Sequence, residues 1–304
     1  PVSCRGMYFG HQQIRETSII LLINPQVMEK ILVTTDLSDN SKAGLRFAIK
    51  LAEYRKSELI FLHVHYVLRA TTWSDTNYSY YIEENEKNLL EDLTSLVASI
   101  YKSMKIKPRA YRCDVHHVYG VADAIEQYAI KNQCDYICIA TKGAGNVQKF
   151  FGTNTGKLIM TSSVPIICVP SGYRTRPINK ILYASDMAEY QQELEKVVAF
   201  AKPMKAAVEL LHMSYSFKWL NEIMVEKELK KKFGYAIDLH YKSRDIEDTL
   251  LTDLWKAVTK SKPGILVMFT RQDRSLLERF FSGSITKNLS YITNIPMLIF
   301  KKES

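Results

Sequence analysis

Long apolar runs are missing from this chain. No stretch approaches the roughly 18 residues that a membrane-spanning helix needs, and Ile19-Ile20-Leu21-Leu22-Ile23 is too short for a typical signal-peptide core. Cysteine is scarce as well: five residues, at 4, 113, 134, 138 and 168, form no C-x-x-C pair. Four of them sit within or beside apolar strand-like runs, so they read as reduced core thiols, which implies a reducing, cytoplasmic setting. Signatures of catalysis are also absent. No Ser-His-Asp order, H-E-x-x-H, Walker lysine motif or close carboxylate pair stands out. The pattern therefore offers a binding site, not a reaction.

Charge of one sign is in excess, but it is not concentrated. With 41 Lys and Arg against 32 Asp and Glu the formal charge is +9, which favours anionic partners such as nucleotides. The basic residues are scattered among acidic ones, and the one dense run, Lys227-Glu228-Leu229-Lys230-Lys231-Lys232, reads as a solvated helix face rather than a nucleic-acid stripe. A composition of 46% apolar and 24% charged residues is that of a globular protein able to bury a core.

What the sequence does have is a repeat. Glu29-Lys30-Ile31-Leu32-Val33-Thr34-Thr35-Asp36 recurs 150 residues later as Asn179-Lys180-Ile181-Leu182-Tyr183-Ala184-Ser185-Asp186. Each copy continues with a helix-period segment (Leu45, Ala48, Ile49, Ala52; Leu194, Val197, Val198, Ala201) and then an apolar run closing on a histidine, His63 or His212. Near each end, Gly152-Thr153 and Gly283-Ser284 precede Pro165 and Pro296, which open further apolar runs. The repeat predicts two domains, 28–170 and 178–304, joined by the turn-rich link 171–177. Residues 1–27 match nothing in the second half. They read as an upstream extension before a start at Met28 or as an arm with its own function.

Strand-like runs at 31–35, 59–64, 109–115, 136–140 and 166–169 alternate with amphipathic segments such as Val121, Ala124, Ile125, Tyr128 and Ala129. The second half repeats this with runs near 181–185, 207–212, 236–242, 265–269 and 297–301, and with Ile246, Leu250, Leu251, Leu254 and Val258 at helical spacing. Strands that are apolar without alternation are buried on both faces, which predicts an α/β fold of two doubly wound, five-stranded parallel-sheet domains. His63 to Asp135 is about twenty residues longer than His212 to Gly264. The excess carries Tyr66, Trp73, Tyr78, Tyr80 and Tyr81, readable as a lid over a ligand, a pad against the other domain, or an ordinary longer loop and helix.

In doubly wound sheets, ligands lie beyond the carboxyl ends of strands, and both Asp36 and the segment from Ala140 to Thr155 fall there. That segment holds Gly143, Gly145 and Gly152; glycines admit a phosphate to backbone amides, but a tight strand-to-helix turn needs them without any ligand. Asp186 is read as a turn or helix cap in preference to a ligand contact. His63 and His65 share one side of a strand and His116-His117 end another; packing is favoured over a zinc site, because no ligand spacing supports the latter.

These residues resemble the universal stress proteins. The resemblance covers nearly the whole chain from Met28 as two copies, and rests on Lys30-Ile31-Leu32-Val33-Thr34-Thr35-Asp36, on Leu62-His63-Val64, on Gly120-Val121-Ala122-Asp123-Ala124-Ile125, and on Cys134-Asp135-Tyr136-Ile137-Cys138-Ile139-Ala140-Thr141. It implies an adenine nucleotide alpha hydrolase-like fold and a stress-linked regulatory role, with ATP and magnesium as the cofactor. Any ATP hydrolysis would be slow or absent. Nucleotide-binding members show G-x2-G-x9-G-[ST] after the fourth strand. Carried over, Asp36 would lie by the adenine and ribose, Gly143 would be the second motif glycine, Gly152 and Thr153 would meet the phosphates, and Asn154 and Thr155 would follow at the helix start. The chain departs from the pattern at Ala140, which replaces the first glycine, and by eight rather than nine residues between Gly143 and Gly152. In the second copy Thr270-Arg271-Gln272-Asp273 lacks both early glycines, and an aspartate facing a triphosphate repels it. The reading is one adenine nucleotide in the first domain and none in the second, with the two domains paired inside the chain and homodimerisation left open. The rival reading makes both domains ligand-free interaction modules.

Overall fold

The computed structural model describes residues 28–141, 153–214, 222–244, 249–270 and 294–302. Ten strands form one sheet in the order β3-β2-β1-β4-β5-β10-β9-β6-β7-β8. They are β1 (Lys30–Thr34), β2 (Glu58–His65), β3 (Tyr111–His117), β4 (Tyr136–Thr141), β5 (Ile166–Pro170), β6 (Lys180–Ser185), β7 (Ala207–Ser214), β8 (Ile237–Ser243), β9 (Ile265–Thr270) and β10 (Met297–Lys301). All ten expected strands are present, with boundaries moved by at most two residues. Among the described residues every strand pairing is parallel except β5 with β10, where Met297 faces Cys168 and Ile299 faces Ile166 antiparallel. The order within β1 to β5 is repeated within β6 to β10.

Seven helices cover the sheet among the described residues: α1 (Lys42–Arg55), α2 (Asp75–Met104), α3 (Val121–Lys131), α4 (Thr153–Thr161), α5 (Tyr190–Ala201), α6 (Glu222–Phe233) and α7 (Leu250–Ser261). Helices α1, α2, α5 and α6 bury their apolar stripes in one cluster with Ile31, Val33, Tyr183 and Val208. Helices α3, α4 and α7 close the other face over Leu32, Ile60, Leu182 and Leu266. This double covering is why Ile31, Leu32 and Val33 are all apolar and all inaccessible, so that no alternation is seen. The outer strands β3 and β8 carry Arg112, Asp114, Asp238 and His240, as exposed edges require.

The twenty extra residues of the first half go into α2, whose 30 residues compare with 12 in α6. Ser74 caps α2 by accepting from Asn77 N at 3.2 Å. Tyr78 and Tyr81 both pack on Trp73 there, and Tyr78 reaches the His117 ring at 6.0 Å and donates to Val67 O at 3.0 Å. The insertion is thus a longer helix packed on the rim of its own half. The link between β5 and β6 is anchored by Tyr173, which is buried edge-on against Phe47 at 5.6 Å.

One core cluster crosses from half to half. Arg55 at the end of α1 donates from Nε to Glu29 at 2.8 Å, donates to Phe200 O on α5, and lies 4.7 Å from the Phe200 ring and 5.4 Å from that of Tyr136. The free cysteines are buried, Cys113 half so, and none is disulfide-bonded among the described residues.

Burial pushes Tyr101, Tyr128 and Tyr136 up to about 12 and Cys134 up to about 11. These groups keep their protons in the folded chain where the unfolded chain releases them, so their stabilisation is complete below about pH 9 and is lost as pH rises toward 12. Each group contributes a slope of about 1.4 kcal/mol per pH unit between its two values. The urea midpoint is expected to fall steeply between about pH 9 and pH 12, and a flat profile there would contradict the burial.

Candidate functional site

In each half the chain reverses direction across the sheet between its first and fourth strands, leaving a crevice at their carboxyl ends. The turn leaving β1 is built locally. Asp36 Oδ1 accepts from Ser38 N at 3.0 Å and Ser38 Oγ at 2.6 Å, and Thr35 Oγ1 accepts from Leu37 N at 3.0 Å. Leu37 is held at φ 62°, a left-handed conformation that costs a branched side chain energy. The second half repeats the turn: Met187 at φ 64°, Asp186 Oδ1 accepting from Ala188 N and Ser185 Oγ from Met187 N, each at 3.0 Å. The strained turn therefore belongs to the fold, and Asp186 has the capping role expected of it.

The repeated histidine has a structural task too. His63 Nδ1 donates to Thr35 O at 2.8 Å and His212 Nδ1 donates to Ser185 O at 3.0 Å, tying the second strand of each half to the end of the first. His65 stacks on His63 and lies 5.2 Å from the His117 ring; burial first, then the neighbouring His117 and His63, lowers its pKa.

The two crevices differ in what flanks the aspartate. Asp36 is exposed, and among the described residues it meets no cation. Asp186 is gripped by Lys302 at 2.8 Å, which also lies 3.1 Å from the buried Glu193. Burial alone would lower the Lys302 pKa, but the bonds to Asp186 and Glu193 outweigh it. Glu193 occupies the place that Gly44 holds in the first half, and it also accepts from Tyr183 Oη. The absence of a side chain at Gly44 matters: a Cβ there would lie 3.2 Å from both Cβ and N of Ala140. Gly44 lets α1 pass against the end of β4, and the Ala140 methyl lodges in that space. Phe269, edge-on to Tyr183 at 5.6 Å, takes the corresponding position on β9.

A cavity of about 320 Å³ opens at the first crevice. Asp36, Asn40 and Ser41 line one side; Val121 and Ile125 of α3, Ile139, Ala140 and Thr141 of β4, and Thr155 of α4 line the rest. Thr141 is 3% exposed and its hydroxyl has no hydrogen-bond partner among the described residues, an arrangement that costs about 1–3 kcal/mol unless something answers it. Of the residues expected from the sequence, Asp36, Ala140 and Thr155 meet in this cavity. Gly143 and Gly152 lie outside the described residues, as do Gly283 and Ser284; Thr153 and Asn154 open α4, with only their backbone described. Asn40 and Thr141 were not singled out from the sequence, although both adjoin motif positions. Tyr66, Trp73, Tyr78, Tyr80 and Tyr81 are not among the described lining residues.

Fold and cavity together define a doubly wound α/β protein with a ligand-sized crevice at the strand switch point. Residues 28–170 match the model of the universal stress protein family. Its structure is similar to that of a universal stress protein from Archaeoglobus fulgidus DSM 4304, with 15% identity, a TM-score of 0.64, and coverage of 90% of this chain and 98% of that one. A functionally unknown protein from Pseudomonas aeruginosa PAO1 is also similar, with 15% identity, a TM-score of 0.52, and coverage of 91% and 93%. At such identities the likeness is one of fold. No curated protein matches the chain in sequence. No helix among the described residues is long and apolar enough to cross a membrane.

Proposed function

We propose that the first half binds one adenine nucleotide, as ATP with magnesium, and that the protein acts as a nucleotide-dependent regulator in a stress response in a reducing cytoplasm. On this reading 28–170 and 178–304 are two domains linked by 171–177, and residues 1–27 are an extension ahead of them. The observation that carries the proposal is the cavity at the switch point, in which Asp36, Ala140 and a Thr141 hydroxyl without a partner among the described residues converge. Its volume lies within the range of small-molecule sites, roughly 300–1,000 Å³. Val121, Ile125 and Ile139 supply an apolar wall for a purine ring, and the exposed carboxylate of Asp36, whose Oδ1 holds the turn, can accept from ribose hydroxyls through Oδ2. Gly143, Gly152, Thr153 and Asn154 are assigned to the phosphates. The second domain is assigned no nucleotide. Phe269 stands at the place of Ala140 and Lys302 holds Asp186, the counterpart of Asp36, and the role of the second domain is to pair with the first through β5 and β10.

Calorimetry of the chain with magnesium ATP is expected to give one site. Heat corresponding to two sites would overturn the assignment of the second domain, and no heat would leave the chain as a nucleotide-free interaction module.

A further inference from the structure

Helix α2 is held unevenly along its length. Its buried residues are Leu93, Val97, Ile100 and Tyr101, all toward the carboxyl end, so the stretch from Asp75 to Asp92 has no buried side chain. Helices without tertiary packing are marginal in water, and this stretch depends on a small set of contacts.

The contacts that reach the strands converge on two histidines. Val67 N, in the loop before α2, donates to His117 Nε2 at 3.2 Å, and Tyr66 stacks on the same ring at 5.7 Å. Tyr78 of α2 lies edge-on to that ring, and Glu86 Oε1 accepts from His117 N at 3.1 Å. Asn85 Nδ2 donates to His65 Nδ1 at 3.4 Å.

Both ring bonds need uncharged imidazoles. A ring nitrogen that accepts from an N–H has no proton of its own, and adding one sets donor against donor. The Tyr78 hydroxyl, 3.3 Å from His117 Nε2, can accept that proton, but the Val67 amide is then left facing an N–H. His65 Nε2 is buried with no hydrogen-bond partner among the described residues, so a proton there has nothing to bond to. The rings stand in a row, His63 stacked on His65 at 5.9 Å and His65 at 5.2 Å from His117, and a charge on one opposes a charge on the next. Glu86 is the carboxylate that faces them, Tyr66 and Tyr78 are the phenols against His117, and Tyr119 packs on Tyr66. His116 packs instead against Tyr128 of α3.

We propose that His65 and His117 form a proton-operated catch: while both rings are neutral the N-terminal half of α2 is clasped to β2 and β3, and acid releases it. Burial first, then His117 and His63, lowers the pKa of His65, so its share of the clasp is complete above about pH 6.5 and is lost as the pH falls from there. The catch does not rest on nucleotide binding at the switch point.

Hydrogen exchange of the full chain, followed by mass spectrometry and corrected for the intrinsic effect of pH on exchange, tests this. Between about pH 7.5 and pH 5 the protection of residues 75–92 is expected to fall at least about tenfold, while that of α1 and α5 holds. His65→Asn with His117→Gln keeps an acceptor near each bonding nitrogen but cannot take a charge, and is expected to stay protected at both pH values. Glu86→Gln is expected to keep the response, because the carboxylate is not its source. If the histidine variant is already loose near neutral pH, proton NMR of the unsubstituted chain decides, since release must follow the titration of His65 or His117. Protection unchanged by acid, a response retained in the histidine variant or lost in Glu86→Gln, or a release more than about one pH unit from the imidazole titration would overturn the inference.

Discussion

Val121→Trp is expected to lower the affinity for magnesium ATP at least a hundredfold, which corresponds to about 2.7 kcal/mol. Val121 stands at the first turn of α3 and is one of the apolar walls of the switch-point cavity. It is partly exposed, so an indole there can extend into the cavity without displacing the core on which the fold rests. The variant would thus lose the ligand and keep its melting temperature within a few degrees, measured without nucleotide. Gly152→Asp is expected to act likewise by setting a carboxylate against the phosphates, while Gly283→Asp leaves affinity unchanged because the second domain binds no nucleotide. Affinity unaltered in both Val121→Trp and Gly152→Asp would remove the proposed pose.

Arg55→Ala is expected to cost about 3 kcal/mol of stability, read as a lowered urea midpoint by circular dichroism. The guanidinium is almost fully buried and serves both halves at once, bonding to Glu29 and to the carbonyl of Phe200 and lying over the rings of Tyr136 and Phe200. Removing it leaves Glu29 without its cation and the Phe200 carbonyl without its donor, and it opens space between α1 and α5. Arg55→Lys should recover only part of the loss, because an ammonium cannot bond to Glu29 in bidentate fashion and reach Phe200 as well. A loss below about 1 kcal/mol for Arg55→Ala would mean that the halves are held together elsewhere, chiefly by the β5–β10 pairing.

Much of the fold was legible in the sequence because its signals are local. Mostly continuous apolar runs, broken by charged residues in β3 and β8, marked the strands, and the 3.6-residue spacing of Leu45, Ala48, Ile49 and Ala52 marked α1, since each of these features is produced by residues within a few positions of one another. The site was legible in part. Asp36 and Ala140 could be named because each ends a strand, whereas Thr141 and Asn40 gained significance only when β1 and β4 were set side by side. The role of Gly44 could not be read, because its neighbour Ala140 is remote in sequence.

By itself the sequence determined that two copies of one α/β unit exist, what strands each has and where each chain turn bearing an aspartate lies, because periodicity and repetition are properties of the chain alone. Only the tertiary structure decided that β5 and β10 join the copies into one ten-stranded sheet, that Arg55 spans them, and that His65 and His117 meet beside α2. Those outcomes depend on which distant side chains share a space, such as Ala140 with Gly44 or His65 with His117, and packing of that kind leaves no local mark along the chain.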